Sequence, residues 1–348
     1  MRSNLTRSFA RRRFRWPACS AVLLLALACP PKQSSAQQDP AQTHPMANAS
    51  SRYELVELPL RPNWIADSGW IAGMAPDQRA ALVNPHGELI HIPLPPEFTL
   101  SEALCVNAKG EAVGYAVTAD SSRRVAFLFR DAKVTILPGE QARAYRINEA
   151  GEIAGQAKTP GQKTVAAVLW KNGNLVDLKI CCAGTARVIN AQSLVAGDAY
   201  DDEGHYHAFF WDAQHGARRV TFPAMGGAGE EYSLVLALND RGQAVLRVAP
   251  GGLLSFSEGK FEPLDLPQAD PRAMNQAGVI VGSVGPSPEL QKAFVWDKVH
   301  GMIDLNDAIP AKSGWELDVA SSLNDHGEIV GWGEHAKSEN AGFLLRLK

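Results

Sequence analysis

Short apolar runs separated by turn-forming residues dominate the chain from Arg52 to Lys348. Apolar positions alternate with polar ones or form short blocks, and no long segment shows the spacing of an amphipathic helix. Glycine and proline are frequent, with 30 and 22 residues, and they interrupt the runs. This pattern predicts an all-β domain made of many short strands.

One apolar–polar pattern recurs seven times in this region. It consists of an apolar residue, Asn or Asp, two variable residues, Gly or a substitute, and a short apolar run that usually ends in Gly. The Asn or Asp positions are 67, 107, 148, 190, 239, 275 and 324, so the spacings are 40, 41, 42, 49, 36 and 49. A period near forty residues with short strands is typical of β-propeller blades.

Each repeat predicts four strands, here called a, b, c and d. Strand a ends at the Asn, strand b follows the Gly, strand c is a run such as VAFLF at 125–129, and strand d alternates, as in KVTIL. Because Asn and Gly tolerate positive φ, we expect Asn-x-x-Gly to form the a–b hairpin turn.

The strand count predicts a closed ring. Seven a, b and c strands are followed by only six d strands, and residues 53–60 alternate like a d strand before the first a strand. Pairing this N-terminal strand with the last blade would remove an open sheet edge. We therefore predict a seven-bladed β-propeller of four-stranded antiparallel blades over residues 52–348, with the N-terminal strand closing the last blade.

The sequence HAFFW at 207–211, together with Asn-x-x-Gly-x-Ile-Val-Gly, resembles the HAF repeat of probable extracellular bacterial proteins. The resemblance covers residues 53–348 and implies a propeller-like extracellular repeat protein. Its motifs are structural, so it implies no catalytic residues. The fifth repeat departs from the pattern, because Leu246 replaces the final Gly and GGLLSF replaces the usual c strand.

The first residues predict export. A basic stretch from Arg2 to Arg15 precedes the apolar run Ala18 to Ala28, which has the length of a signal peptide and is too short to span a membrane. Residues 11–14 also resemble part of a twin-arginine signal. We predict a signal peptide over residues 1–28, or to 36 if cleavage follows Ser34-Ser35-Ala36.

Residues 29–51 are rich in Pro, Gln, Ser and Ala and predict a disordered linker or tether. Leu25 to Cys29 resembles a lipobox, in which Cys29 would be lipidated. Two locations follow: an outer-membrane or cell-surface lipoprotein, or a free periplasmic or secreted protein. Membrane contact is expected only through a lipid anchor on Cys29.

Composition excludes some functions and leaves others. A net charge of −3 with 20% charged residues provides no basic footprint, so no nucleic-acid partner is expected. The usual hydrolase, metalloprotease, P-loop and dinucleotide motifs are missing from the sequence. We expect a monomeric, non-enzymatic binding module at the cell envelope that recognises a glycan, peptide or protein, without a cofactor. The alternatives are an exported hydrolase or lyase, with acid/base groups such as Asp198, Asp202, His205 and Glu334, and a purely structural repeat protein.

The longest connections, b–c and d–a, share one face of a propeller, and we place any site there. The densest polar segment is 198–207, and its candidate ligand-binding residues are Tyr200, Asp201, Asp202 and His205. Asp198, Asp202 and His205 could hold Ca²⁺, or a transition metal together with His207. The alternative is an exposed acidic loop with His207 as an ordinary strand residue.

Trp315, Trp332 and Trp64 form a second candidate site, because ring closure would bring their blades together. Exposed indoles suit stacking on sugar rings or apolar ligands, whereas packing between blades is the alternative.

Three cysteines lie in the folded region: Cys105, Cys181 and Cys182. Export favours disulfides, so a vicinal Cys181–Cys182 disulfide and unpaired buried thiols are both retained as expectations.

Overall fold

The computed structural model describes residues 52–180, 182–222, 232–249, 252–336 and 338–348. The predicted signal peptide, the linker, Cys29 and Cys181 lie outside these residues. Over the described part the fold is all-β, with strands connected by turns and two short 3₁₀ helices, Pro288–Leu290 and Leu305–Ala308. Within this part of the chain, no helix has the length and apolar character needed to cross a membrane.

The strands are numbered in chain order. Their bounds are β1 Tyr53–Leu58, β2 Arg61–Ile65, β3 Ile71–Met74, β4 Ala80–Val83, β5 Leu89–His91, β6 Phe98–Val106, β7 Ala112–Thr118, β8 Arg124–Arg130, β9 Lys133–Ile136, β10 Glu140–Ile147, β11 Ile153–Lys158, β12 Ala166–Lys171, β13 Asn174–Asp177, β14 Gly184–Ile189, β15 Val195–Tyr200, β16 Tyr206–Asp212, β17 Gly216–Arg219, β18 Tyr232–Leu238, β19 Ala244–Ala249, β20 Gly252–Ser257, β21 Lys260–Leu264, β22 Ala269–Met274, β23 Ile280–Val284, β24 Lys292–Asp297, β25 Gly301–Asp304, β26 Trp315–Leu323, β27 Ile329–His335 and β28 Ser338–Leu347.

These strands form six hydrogen-bonded sheets among the described residues. Four of them, β2–β5, β6–β9, β10–β13 and β22–β25, are four-stranded and antiparallel in chain order, as each repeat predicts. The largest sheet contains two such groups, β14–β17 and β18–β21, joined by one parallel bridge between Tyr206 and Tyr232.

The remaining sheet joins the two ends of the folded chain. Its strand order is β1-β28-β27-β26, and β1 pairs antiparallel with β28 from Tyr53–Leu347 to Leu58–Gly342. The N-terminal strand therefore completes the last sheet, as the strand count predicts. Tyr53 is 4% exposed and packs in the apolar core with Phe343, so β1 contributes side chains as well as backbone hydrogen bonds.

The Asn of each a–b turn has a different role from the one expected. The positive φ in these turns belongs to the Gly, as at Gly151 (φ 77), or to Ser193 (φ 62) in the fourth repeat, and Asn148 is not among the residues with positive φ. Instead, the Asn148 side-chain oxygen accepts the N–H groups of Ala150 (3.1 Å) and Glu152 (2.9 Å). The Asn is required because its side chain hydrogen-bonds the turn backbone.

The same side chains also link neighbouring strand groups. Each Asn Nδ2 donates to the backbone carbonyl at the same position of the next repeat. These bonds run from Asn107 to Asn148 (3.2 Å), Asn148 to Asn190 (3.1 Å), Asn190 to Asn239 (3.2 Å), Asn239 to Asn275 (3.0 Å), Asn275 to Asn324 (3.3 Å) and Asn324 to Ala66 (3.4 Å). We call this set the Asn ring.

The Asn ring corrects the alignment of the first repeat. The residue that receives the bond from Asn324 is Ala66, and the Gly69 N–H bonds the Ala66 carbonyl as the Gly110 N–H bonds that of Asn107. Ala66, not Asp67, is therefore the equivalent of the repeated Asn. Asp67 lies one position later, where its carboxylate accepts the N–H of Asp325 at 2.8 Å.

The apolar core lies between adjacent strand groups. One cluster, for example, combines Ala154 and Leu169 of β10–β13 with Val195 and Phe209 of the next group. Small residues are needed where strands a and b approach: a Cβ on Gly114 would lie 1.9 Å from the Glu102 carbonyl oxygen. Strand a has a β-bulge at this level, which brings its backbone against the glycine.

Candidate functional site

The two ends of the strands form different surfaces. All a–b turns meet in the Asn ring, and the antiparallel order puts the c–d turns at the same end of the strands. The b–c connections therefore lie at the opposite end, together with the starts of the a strands. We call these surfaces the Asn-ring face and the loop face.

Three tyrosines form a connected aromatic surface on the loop face. The ring centroids of Tyr200 and Tyr206 are 4.7 Å apart, and those of Tyr206 and Tyr232 are 5.7 Å apart with an interplanar angle of 25°. Tyr200 is 48% exposed, and all three rings line one groove with Arg187 and His205. We call Tyr200, Tyr206 and Tyr232 the tyrosine cluster.

A buried ion pair holds the tyrosine cluster from below. Asp198 is fully buried and accepts hydrogen bonds from Arg187, including Nη2 at 3.1 Å, and from the Tyr206 hydroxyl. Burial raises the pKa of Tyr206, and the Asp198 carboxylate raises it further, so this residue stays a phenol. Burial lowers the pKa of Arg187, but the bond to Asp198 more than offsets this effect and its pKa is raised. The Tyr206 ring is thus fixed by charge-assisted hydrogen bonds, and the rings of Tyr200 and Tyr232 contact it.

The acidic loop has an internal hydrogen-bond network of its own. Asp201 accepts the backbone N–H of His205 at 2.8 Å, and its other oxygen lies 2.9 Å from His207 Nε2. Burial lowers the pKa of His207, an effect strengthened by Arg219 and opposed by Asp201. Asp201 thus shapes the loop backbone, while Asp202 and His205 stay exposed at its surface.

The metal ligands predicted from the sequence are not brought together. Asp198 is engaged by Arg187 and Tyr206, and Asp202 Oδ1 lies 3.6 Å from Cys182 Sγ. Within the described ranges, the group whose ligand atoms lie within 4.8 Å of one another is Asp201, His205 and His207. The correction has a physical cause: strand β15 points Asp198 inward, whereas the loop points His205 outward.

This alternative trio is also a poor cation site. Arg219 Nη1 lies 3.6 Å from Asp201 Oδ2, the oxygen that also faces His207. A guanidinium at this distance compensates the carboxylate and repels a metal ion.

The predicted tryptophan patch is divided among three different contacts. Trp315 stacks on His335 with centroids 4.5 Å apart and an interplanar angle of 8°, and its edge meets Phe343. Trp332 lies 5.2 Å under the Arg61 guanidinium, and Trp64 lies 4.2 Å under that of Arg146. The ring contacts of the described residues do not join these indoles to one another.

Trp64 lies beside the central cavity. It packs against the core clusters of three successive parts of the ring, and it lines the central cavity with Arg146 and Cys105. The alternative expectation, packing between blades, is therefore the observed role of Trp64.

Sequence reasoning missed a group of arginines around strand β6. Arg61 Nη2 bonds Glu102 Oε1 at 2.9 Å, Arg146 Nη1 bonds the Leu104 carbonyl at 3.3 Å, and Arg143 lies 4.0 Å above the Tyr115 ring. Arg61 belongs to a different repeat from Arg143 and Arg146, so the spacing of the three along the chain resembles no motif. The only signal was Arg146, at a position where the other repeats carry small or apolar residues.

A carboxylate group lies at the loop-face end of β26 and β27. Glu316 and Glu334 are directly cross-strand partners, and Asp318 lies beside them. Burial, followed by the charges of Glu334 and Glu316, raises the pKa of Asp318 from 3.8 to about 6. Glu334 was predicted from the sequence as an acid/base candidate, and Asp318 was not.

Two of the three cysteines of the folded region, Cys105 and Cys182, lie among the described residues. Cys105 is 1% exposed, with its sulfur 3.9 Å from the Ile147 carbonyl, and burial raises the pKa of its thiol. Cys182 is exposed next to Asp202. Because Cys181 lies outside the described residues, the vicinal disulfide stays a prediction.

Solved β-propellers have the same fold as this chain. A streptogramin B lyase is 10% identical, with a TM-score of 0.55 over 85% of this chain and 98% of its own. The β-propeller domain of the trilobed protease from Pyrococcus furiosus is 8% identical, with a TM-score of 0.55 over 86% and 94%. YCF48 bound to D1 peptide is 14% identical, with a TM-score of 0.52 over 85% and 96%.

These likenesses show that the described region is a β-propeller, and at such identities they show the fold alone. No protein-family model matches the sequence, and no curated protein matches it. The comparisons thus give no evidence for the HAF repeat, which stays a resemblance based on the motifs.

Proposed function

We propose that the mature protein is a non-enzymatic β-propeller that binds a glycan of the cell envelope through the tyrosine cluster. The observation that carries this proposal is the arrangement of Tyr200, Tyr206 and Tyr232 as contacting rings, with Tyr200 48% exposed and the central Tyr206 held by the Arg187–Asp198 pair. Rigid aromatic faces with polar groups beside them suit sugar rings, which have both apolar faces and hydroxyls.

We further propose that the ring has seven blades. The eight-stranded sheet counts as two blades, because a single parallel bridge joins its two groups of strands. Each group carries its own Asn in the Asn ring, at Asn190 and Asn239. The Asn ring also passes from Asn324 to Ala66, which links the last group to the first.

The N-terminal sequence supports a proposal on export and location. We propose that residues 1–28 are removed and that residues 29–51 connect the propeller to the membrane through a lipid on Cys29. Intact mass of the mature protein from membrane and soluble fractions tests this: a lipid-modified chain beginning at Cys29 supports it, and a soluble chain beginning near Gln37 contradicts it. The extracellular role implied by the HAF resemblance is part of the same proposal.

Binding is tested with purified protein and a panel of envelope glycan fragments and short peptides. We expect glycan binding, with the Tyr200→Ala variant at least about tenfold weaker because it loses an exposed stacking face. Val299→Ala is the matched control, since Val299 is 85% exposed in a c–d turn on the Asn-ring face. Binding of peptides alone, or equal glycan affinity of both variants, contradicts the proposal.

A hydrolase or lyase is the second candidate, and one observation favours it. A carboxyl with a pKa of about 6, such as Asp318, is protonated often enough near neutral pH to act as a general acid. Glu334 lies close enough to raise that pKa and would be the partner carboxylate. Cleavage of an envelope glycan that is lost in Asp318→Asn, with binding retained, would favour the enzyme.

A further inference from the structure

We propose a second binding site, formed by Arg61, Arg143 and Arg146 around strand β6, that takes a ligand with two carboxylate groups. We call these three residues the arginine triad. The site goes beyond the proposed glycan function, because it involves different strands and different chemistry from the tyrosine cluster.

The arginine triad converges on one segment of the chain. Arg61 reaches Glu102 of β6 at 2.9 Å, and Arg146 reaches the Leu104 carbonyl of the same strand at 3.3 Å. Arg143 lies 4.0 Å above the ring of Tyr115, whose hydroxyl donates to Glu102 Oε2 at 2.8 Å. Side chains from β2 and β10 thus meet at the strand between them.

The arginine triad is short of negative charge. Glu102, which is 7% exposed, forms an ion pair with Arg61, whereas Arg143 and Arg146 have no ion pair among the described residues. Each of the three also keeps a buried Nε–H without an acceptor in this part of the chain. Three guanidinium groups and one carboxylate leave two positive charges, and a buried cation without a counter-charge is costly.

Aromatic rings fix the two unpaired guanidinium groups. Arg146 is stacked 4.2 Å above Trp64, and Arg143 lies between Tyr115 and Tyr145, at 4.0 and 5.4 Å from their centroids. Cation–π contact compensates part of each guanidinium charge. The N–H groups at the edge of the guanidinium then point along its plane and not into the ring. A planar guanidinium edge matches a carboxylate with two parallel hydrogen bonds, so two such edges select a dicarboxylate.

The loop face is the entrance. The cavity at the Asn ring contains Arg146, but its mouth is also lined by Asp67, Glu149, Asp240 and Asp325, which repel an anion. Arg61 and Arg143 instead lie in the first part of their strands, toward the loop face, and Arg143 lines a groove there with Tyr115.

Calorimetric titration of the full-length mature protein with succinate tests the site, with sodium chloride keeping the ionic strength constant. We expect saturable binding, weakened about tenfold or more in Arg143→Gln and in Arg146→Gln. Arg241→Gln is the matched control, because Arg241 is exposed in an a–b turn on the Asn-ring face. Unfolding midpoints without ligand establish that each variant is folded.

A gain-of-affinity variant separates binding from folding. Glu102→Gln removes the only carboxylate of the group and keeps a hydrogen-bonding side chain, so succinate should bind several-fold more tightly. The proposal is overturned if succinate does not bind, if Arg241→Gln weakens it as much as Arg143→Gln, or if sulfate binds as tightly as succinate. A failure of glycan binding in Tyr200→Ala experiments leaves these outcomes unaffected, since the titration uses no glycan.

Discussion

At the scale of single residues, the repeated Asn is the most informative side chain in the protein. Its oxygen accepts two N–H groups of its own turn, and its Nδ2 donates to the next repeat. A buried side chain that satisfies several backbone groups stabilises the fold mainly because each of those groups would be costly to leave unpaired. The Asn therefore connects a local turn to the assembly of the ring.

Ala66 is the position where the Asn ring is incomplete, because an alanine has no amide to donate to Asn107. We expect Ala66→Asn to add one side-chain hydrogen bond across this junction and to raise the free energy of unfolding by about 1 kcal/mol. Urea unfolding measures the change. Ala66→Asp is the control: it can accept the same turn N–H groups but cannot donate, so it should bring a smaller gain. Equal gains in both variants would rule out the ring bond as the cause.

Asp318 is a residue that works against stability near neutral pH. Its pKa is raised from 3.8 to about 6, so the folded protein favours the protonated form. Its contribution is fully present below about pH 3.8 and is lost as the pH rises through 6. We expect Asp318→Asn to stabilise the protein by roughly 1 kcal/mol at pH 7.5, after discounting for solvent screening, and by little at pH 4.

Thermal unfolding of both proteins between pH 4 and 7.5 measures this difference. Glu334→Gln removes one of the charges that raise the pKa of Asp318 and should give a smaller gain with the same pH trend. A gain for Asp318→Asn that does not change with pH would contradict the assigned cause.

At the scale of elements, each strand group depends on the close approach of strands a and b. The bulge in β6 leaves Leu104 unpaired and brings the Glu102 carbonyl against Gly114 of β7. The same glycine recurs in the b strands of the other repeats, with Leu246 as the exception. β19 nevertheless pairs with β18 through a bulge at the equivalent level, so this repeat keeps its register.

Gly114 is therefore expected to tolerate no side chain. A Cβ there would lie 1.9 Å from the Glu102 oxygen, so Gly114→Ala must displace backbone and should cost about 3 kcal/mol or more. Gly173→Ala is the comparison, because Gly173 has φ 77 but open space around its Cβ. It should cost only about 1 kcal/mol from backbone strain. Denaturant unfolding of both variants gives the order, and a reversed order would contradict the packing argument.

At the scale of the whole molecule, closure by β1 makes the first and last parts of the folded chain depend on each other. Tyr53 is 4% exposed in a core cluster that also contains Val281, Leu317 and Phe343. The N-terminal strand therefore contributes to the core of the closing sheet and of the sheet next to it. A ring closed in this way should unfold as one unit rather than fray from its end.

Tyr53→Ala tests this expectation. Removing the buried ring should cost about 3 kcal/mol and lower the midpoint of the entire urea transition. Glu54→Ala, at an exposed position of the same strand, should change the midpoint very little. A separate early transition in Tyr53→Ala, with the main midpoint unchanged, would show that β1 is an independent appendage.

The fold was largely predictable from the sequence, and the candidate sites were not. Repeat spacing and strand count predicted the four-stranded groups and the pairing of β1 with β28, because both depend on local patterns and on the need to cover a sheet edge. Tyr200 was predicted from the dense polar segment around it. Tyr206 lies in the same segment but was not chosen as a site residue, and Tyr232 was missed because it reaches the cluster from the next strand group.

By itself, the sequence determined the strand period, the positions of the turns and the all-β class, since these depend on residues close together along the chain. Only the tertiary structure decided which charges meet. It paired Asp198 with Arg187 rather than with His205, separated Trp315 from Trp64, and gathered the arginine triad around one strand. The physical reason is that strand pairing brings together residues such as Arg187 and Asp198, 11 positions apart, and that the ring brings together residues such as Arg61 and Glu102, 41 positions apart. Which of them then form ion pairs depends on side-chain direction and burial, which a linear pattern does not encode.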